Sequence, residues 1–227
     1  MNKGRLVCFE GIDGSGKTTV AHRVAEALGE KEGQAIFVER RGLDYPEDYQ
    51  RRRMRLFHEV IWEYGDDPIH ELGDLHSLYI MAGWFAVLDR CRIGPLLTRY
   101  DHVVIDNWYY KFVARYALKE EMNFQHVTDC FSHLTRPDKV VLLDVSPSVA
   151  AARKDSFNLA EAGLLDGFDG DPKESFIRYQ TAVRLQLLTM ARQEDWLVIE
   201  TRSDSADQVV ERVLERLAAD DTPGKLK

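Results

Sequence analysis

The sequence predicts an α/β fold, a five-stranded parallel sheet with helices on both faces. Two features of the chain point to it. Five short β-like runs, Leu6–Phe9, Ala35–Val38, Val103–Ile105, Val140–Leu143 and Trp196–Ile199, alternate with segments of helical period, the pattern that a parallel sheet covered on both faces imposes. The first run leads directly into Gly11-Ile12-Asp13-Gly14-Ser15-Gly16-Lys17-Thr18, a strand-to-helix loop of the form G-x-x-x-x-G-K-[ST].

In chain order, Thr18–Leu28 reads as the first helix, closed by Gly29. Tyr49–Tyr64 and Leu75–Arg92 read as longer helices on either side of the acidic, glycine-bearing stretch Gly65–Gly73. Trp108–Lys119, Ser146–Lys154, Pro172–Arg192 and Ser205–Ala218 complete the set. With no repeat and no long linker, residues 1–227 are expected to form a single domain. Asn158–Asp171 is rich in Gly and Asp and follows a strand and helix at the carboxyl edge of the sheet, where open α/β folds bind ligands. It is either a surface loop or, as expected here, part of a lid over bound nucleotide that spans about 153–172. The tail 220–227 carries Pro and Gly and is expected to be flexible.

A chain of 227 residues with 44% hydrophobic and 30% charged residues has the composition of a soluble globular domain. Its net charge of −8 argues against a nucleic-acid polymer as partner and leaves nucleotides to local basic residues. No stretch approaches the length of a membrane span and the N-terminus lacks a signal-peptide pattern, so no membrane partner and a cytoplasmic location are expected. Cys8, Cys91 and Cys130 stand far apart among apolar residues and are expected to be reduced core thiols.

In a glycine-rich loop of this form, successive backbone N–H groups point inward at phosphate oxygens. Lys17 would bridge the β- and γ-phosphates, and the Thr18 hydroxyl would hold Mg²⁺. The helix that follows turns its positive end to the same anion. A match to this motif arises by chance in a chain of this size about once in a hundred. Gly11, Asp13, Gly14, Ser15, Gly16, Lys17, Thr18 and Thr19 are therefore the candidate ATP-binding residues, the fold is expected to be that of a P-loop NTPase, and ATP and Mg²⁺ are the expected cofactors. A second carboxylate at the end of a neighbouring strand has to orient the metal or its water. Asp106 ends Val103–Ile105 and Asp144 ends Val140–Leu143. Asp106 is preferred because a helix starts immediately after it, although either could simply cap its helix. Thr18 and Asp106 are the candidate metal ligands.

The run Phe9-Glu10-Gly11-Ile12-Asp13-Gly14-Ser15-Gly16-Lys17-Thr18-Thr19 resembles the opening of thymidylate kinases. Arg40-Arg41-Gly42, Pro95, Arg136-Pro137-Asp138, Leu142-Leu143-Asp144-Val145-Ser146-Pro147 and the stretch from Val149 to Arg153 resemble the same family in the same order. The resemblance covers most of the chain. It implies a phosphotransferase of the dTMP-kinase type, with a nucleoside monophosphate as small-molecule acceptor. It also implies a homodimer, for which the apolar helices Leu75–Leu88 and Phe112–Leu118 are available. Asp13 resembles the family's acidic residue that binds the acceptor sugar hydroxyl. Because Asp13 is followed by Gly14 and not by an Arg, Arg153 at the start of the lid is the cation expected to neutralise the moving phosphoryl group, with Arg184 in reserve.

The chain departs from the family at the acceptor. The family's Asp-Arg-Tyr is here Asp106-Asn107-Trp108, which removes the Arg that grips the acceptor phosphate. Trp84 and Phe85 stand near where the family has a base-reading Arg, and could stack on a base but not make its bidentate contact. In the lid, Arg153 and Lys154 are followed by Glu161, Asp166, Asp169 and Asp171. On a helix starting after Asp106, Asn107, Lys111 and Arg115 fall on one face, so Lys111 and Arg115 either restore charge to the acceptor pocket or form a solvated basic face. Arg40 and Arg41 are candidates for bidentate contact to the acceptor phosphate. Trp108-Tyr109-Tyr110 either lines the pocket or packs. The candidate catalytic residues are thus Lys17, Arg153, Asp106 and Asp13. The candidate acceptor residues are Asp13, Arg40, Arg41, Trp84, Phe85, Asn107, Lys111 and Arg115. The expected activity is that of a nucleoside monophosphate kinase with altered acceptor choice. A kinase of a nucleoside or other small hydroxyl compound is the alternative, and the intact Lys17-Thr18 pair argues against a non-catalytic nucleotide-binding protein.

Overall fold

Strand β1 (Arg5–Glu10) is apolar almost throughout because both its faces are covered: Leu6 and Cys8 enter one hydrophobic core, Val7 and Phe9 the other. The computed structural model describes residues 4–31, 33–65, 67–201 and 204–220. The expected tail beyond Asp220 lies outside them. Five parallel strands form one sheet in the order β2-β3-β1-β4-β5, with β2 at Ala35–Val38, β3 at His102–Asp106, β4 at Lys139–Asp144 and β5 at Leu197–Glu200. This is the P-loop NTPase architecture that the sequence predicts. Helices α1 (Lys17–Lys31) and α9 (Ala206–Asp220) cover one face. Helices α2 (Asp48–Trp62), α3 (Asp74–Leu88), α5 (Tyr110–Tyr116), α6 (Phe124–Phe131) and α8 (Pro172–Gln193) contribute to the core on the other. The short helices α4 (Gly94–Leu96) and α7 (Pro147–Ala152) and a single 3-10 turn, Ile69–Leu72, also occur among the described residues.

The strand order reverses at β1, which puts the loop after it at the switch point of the sheet, where a crevice opens at the carboxyl ends. Phe9 pairs with Asp106 on one side and Val141 on the other, so Asp106 stands beside the start of that loop.

Several boundaries differ from the sequence reading. Helix α1 runs through Gly29, where a Cβ would meet only the Ala35 side chain and backbone at 3.8 Å or beyond, and the chain turns at Gly33 with φ +117°. The long helix after Gly73 breaks at Leu88 into a π-type turn, Asp89–Ile93, in which the Gly94 N–H reaches back to the Asp89 carbonyl. Pro95 follows, and its missing N–H and bulky ring explain why regular i−4 bonding stops there. Helix α6 was not expected, although Asn123 caps it by accepting the His126 N–H at 3.1 Å, and Val127 and Phe131 face the core. The segment Phe112–Leu118, expected as a dimer face, belongs to the core instead: Phe112, Val113, Ala114 and Tyr116 are buried. All three cysteines are unpaired, with Cys8 buried and Cys91 and Cys130 half-buried.

Candidate active site

The loop between β1 and α1 winds around a cavity of about 380 Å³ lined by Gly14, Gly16, Lys17, Thr18, Thr19 and Asp106 among others. Gly14 holds φ +78°, and a Cβ there would come within 3.0 Å of the Ala150 carbonyl oxygen, so glycine is required by conformation and by space. Gly11 and Ser15 are buried beneath the loop. Lys17 Nζ donates to the Ile12 carbonyl at 3.0 Å. Thr18 Oγ1 donates to Asp106 Oδ2 at 2.5 Å. The other Asp106 oxygen, Oδ1, is buried without a hydrogen-bond partner among the described residues. Such an orphan is costly, and a cation beside it would remove the cost. A hydroxyl and a carboxylate with one free oxygen fit Mg²⁺, which takes oxygen ligands and few of them from protein.

A larger cavity of about 550 Å³ opens beside the first, and both are walled by Asp13, Arg40, Arg41 and Asn107. Asp13 is held between two side chains: Lys111 Nζ lies 2.5 Å from Oδ1 and Gln180 Nε2 lies 3.2 Å from Oδ2. Burial opposes ionisation of Asp13, but the Lys111 and Lys17 ammoniums hold its carboxyl well below the usual carboxylate range. Burial lowers Lys111 to about 8, against the pull of Asp13. Burial raises Glu10, the last residue of β1, to about 7, although Lys17, Lys111 and Arg40 resist.

Arg40 and Arg41 stack on one indole. Their guanidinium carbons lie 5.1 and 4.6 Å from the Trp62 ring centre, and that of Arg40 lies 5.3 Å from Phe112. Neither is ion-paired with a carboxylate among the described residues, and Arg40 Nη1 is buried without a partner. Burial and the charge of Arg41 lower Arg40 to about 10, so it stays protonated at neutral pH. At the far end of the cavity charges are matched instead. Arg115 Nη2 donates to Asp166 at 2.7 Å, and Lys119 pairs with Asp166 at 2.9 Å and with Asp74 at 2.6 Å.

The sequence profile of the thymidylate kinase family matches residues 9–213. The chain belongs to the thymidylate kinase family. It is 26% identical over 214 residues to a probable thymidylate kinase of Saccharolobus solfataricus, covering 92% of this chain and 95% of that one. It is 28% identical over 151 residues to a thymidylate kinase of Caenorhabditis elegans, covering 66% and 67%. Among solved structures, the thymidylate kinase of Candida albicans matches with a TM-score of 0.67 at 17% identity, covering 96% of this chain and 92% of that one. That of Ehrlichia chaffeensis matches at 0.64 and 18%, covering 96% and 99%. Membership makes the chain a phosphotransferase.

Against the family pattern, the structure brings most of the expected residues together and moves others away. Asn107 walls both cavities, but in a left-handed conformation (φ +54°) ahead of α5, which starts only at Tyr110. Lys111 and Arg115 share the cavity face of α5, and Arg115 is neutralised by Asp166. Trp84 and Phe85, expected at the acceptor, are fully buried and line neither cavity. The Trp84 indole stands edge-on to Trp62 at 4.8 Å, and Phe85 packs on Trp108 at 5.2 Å and Phe112 at 5.4 Å. They point inward because α3 supplies the core between the sheet and α2. Trp108 is also core, with its indole N–H on the Thr135 carbonyl at 3.1 Å.

Arg153 does not wall the P-loop cavity. It ends α7, donates to the Gly14 carbonyl at 3.3 Å, and lines a third cavity of about 810 Å³ with Asp144, Ser146, Arg184 and Thr201. Arg184 is held in a two-pronged pair with Asp144 at 2.5 and 2.7 Å and offers no spare charge. Of Glu161, Asp166, Asp169 and Asp171, expected as a deficit of positive charge, Asp166 is the partner of Arg115 and Lys119. Trp62, Lys119 and Gln180 were missed. Gln180 left a legible trace, as the polar residue in the stripe Phe176, Tyr179, Val183, Leu187 of α8.

Proposed function

We propose that this thymidylate kinase family member transfers the terminal phosphoryl group of ATP to a nucleoside monophosphate, with an acceptor choice altered from that of the family. The observation that carries the reading is the shared wall: Asp13, Arg40, Arg41 and Asn107 face both the P-loop cavity and the larger one. A donor phosphate on one side and an acceptor phosphate on the other would meet there with water excluded. Lys17 and the loop N–H groups bind the donor phosphates. Thr18 and Asp106 would hold Mg²⁺, which when bound supplies charge neutralisation at the donor phosphates. Arg40 and Arg41 take the acceptor phosphate, and Asp13 orients the acceptor against Lys111. Arg153, which donates to the Gly14 carbonyl from the third cavity, would reach the moving phosphoryl group from beside the loop and neutralise its charge.

The unmatched charges of Arg40 and Arg41 favour a monophosphate over a free nucleoside, which would leave both cations unanswered. The matched pairs at the far end favour a polar base of no net charge. Asn107 in place of an Arg, and Lys111 and Arg115 on α5, support an altered acceptor. A homodimer is proposed through the exposed apolar side chains Leu56 and Val60 of α2 and Leu75 and Tyr79 of α3. The unpaired cysteines support a reducing, cytoplasmic setting. No helix among the described residues is long and apolar enough to cross a membrane.

The test is ADP release from Mg-ATP against dTMP, dUMP, UMP, CMP and modified pyrimidine monophosphates, each beside its free nucleoside. Turnover with a monophosphate other than dTMP supports the reading in full. A preference for dTMP removes the altered acceptor, and turnover with nucleosides alone removes the monophosphate.

A further inference from the structure

Gln180 is wholly buried on α8 among Phe176, Tyr179, Val183 and Leu187. Its carboxamide is nevertheless fully engaged. Oε1 accepts the backbone N–H of Asp13 at 3.2 Å, and Nε2 donates to Asp13 Oδ2 at 3.2 Å and to the Glu161 carbonyl at 2.8 Å. A backbone N–H only donates and a carbonyl only accepts, so a single orientation of the amide satisfies all three partners. Neither an aliphatic side chain nor an ionised carboxylate could make the same set.

The partners belong to two working parts of the protein. Asp13 sits in the P-loop and walls both cavities, while Glu161 lies in the lid. Ser175 and Asp166 also fasten the lid, the first through the Ala162 carbonyl at 2.8 Å and the second through Arg115 at 2.7 Å. Gln180 differs from both in holding the P-loop as well. We propose that Gln180 is a positioning residue that couples the lid to the aim of Asp13. The Asp13 carboxylate then keeps its orientation beside Lys111 only while the Glu161 backbone is down. For catalysis this rests on the larger cavity being the acceptor site. The mechanical link itself does not.

Gln180→Met keeps the volume and removes all three bonds. Gln180→Glu restores the acceptor, sets a second carboxylate against Asp13 when ionised, and regains one donor when protonated. With Mg-ATP and dTMP as probes, Gln180→Met is expected to raise the acceptor KM about tenfold, from the loss of the hydrogen bonds that aim Asp13, while the ATP KM stays within about twofold. ATP hydrolysis without acceptor should rise relative to transfer. Gln180→Glu is expected to recover relative to wild type as pH falls from about 8 to about 6, a trend that loss of packing alone does not produce. Hydrogen exchange on the same proteins, with no acceptor present, reads the link directly. The amides of 158–164 should exchange about tenfold faster in Gln180→Met, with α9 unchanged. Unchanged exchange at 158–164 overturns the proposal. If wild type turns over no monophosphate, the acceptor reading fails by itself and the exchange result alone decides the coupling. Should Gln180→Met not fold, Gln180→Glu at the two pH values gives the same readouts.

Discussion

Lys111 Nζ lies 2.5 Å from Asp13 Oδ1, joining the first turn of α5 to the P-loop. Lys111 is buried and Asp13 half-buried, so the pair stands at the boundary between the two cavities in surroundings that screen it weakly. It puts a cation close to Asn107, where the family has an Arg. Asp13 also limits that cation, because an incoming phosphate must compete with the carboxylate for it.

The first prediction follows from the lowered Lys111. Its charge fades as pH rises through about 8, so the acceptor KM should be flat near neutrality and climb above that value, with the ATP KM little affected. Lys111→Met should raise the acceptor KM by about tenfold or more at neutral pH, the worth of one hydrogen bond to a charged group, and flatten the alkaline rise. Initial rates across the pH range measure both. An alkaline rise that survives in Lys111→Met assigns it to another group.

A second prediction concerns Thr18 and Asp106, 2.5 Å apart with one Asp106 oxygen unpartnered. Asp106→Asn should raise the Mg²⁺ concentration for half-maximal rate by about 10- to 100-fold. It should leave the melting temperature of the metal-free protein unchanged or slightly higher, since the amide gives the orphaned position a group that carries no charge. Thr18→Val should shift the Mg²⁺ requirement in the same direction. Titrating Mg²⁺ at fixed ATP separates this from a loss of ATP binding.

A third prediction tests the indole under the two arginines. Each of the two stacking contacts is worth about 0.5–1 kcal/mol, so Trp62→Leu should raise the acceptor KM about five- to thirtyfold and leave the ATP KM in place. Trp62→Phe keeps a ring face and should recover most of the loss. Equal behaviour of the two variants would mean that Trp62 serves only to pack against Trp84.

The sheet and the P-loop were legible in the sequence because each rests on local pattern: an apolar run of strand length, a fixed loop spacing, a carboxylate at a strand end. Lys17, Thr18 and Asp106 come together because parallel register places the ends of β1 and β3 side by side. The acceptor wall was read less well. Trp84 and Phe85 were assigned by their distance from Asp106, but position along α3 does not say which way a side chain turns, and both turn into the core. The pairing of Arg115 was not legible because its partner Asp166 lies 51 residues away, beyond the reach of any local pattern. Trp62 and Gln180 carry no motif and act only through contacts that the tertiary fold creates.

The last prediction uses Glu10, buried at the end of β1 and raised to about 7 by that burial. The unfolded chain loses this proton near the ordinary carboxylate value of 4.5. Between these values the folded protein holds a proton that the unfolded chain has released. Its stabilising contribution is therefore complete below about pH 4.5 and is lost as pH rises through about 7. Glu10→Gln replaces the acid by a neutral group of the same shape that does not titrate. The variant should match wild type near pH 4 and exceed it near pH 8 by at most on the order of 3 kcal/mol. For a protein of this size that is several degrees in melting temperature. The comparison is made without nucleotide or Mg²⁺, so that ligand charge near Lys17 does not enter. Parallel melting curves from pH 4 to pH 8 would assign the pH dependence elsewhere, whereas convergence at low pH and divergence at high pH identify Glu10 as the titrating group.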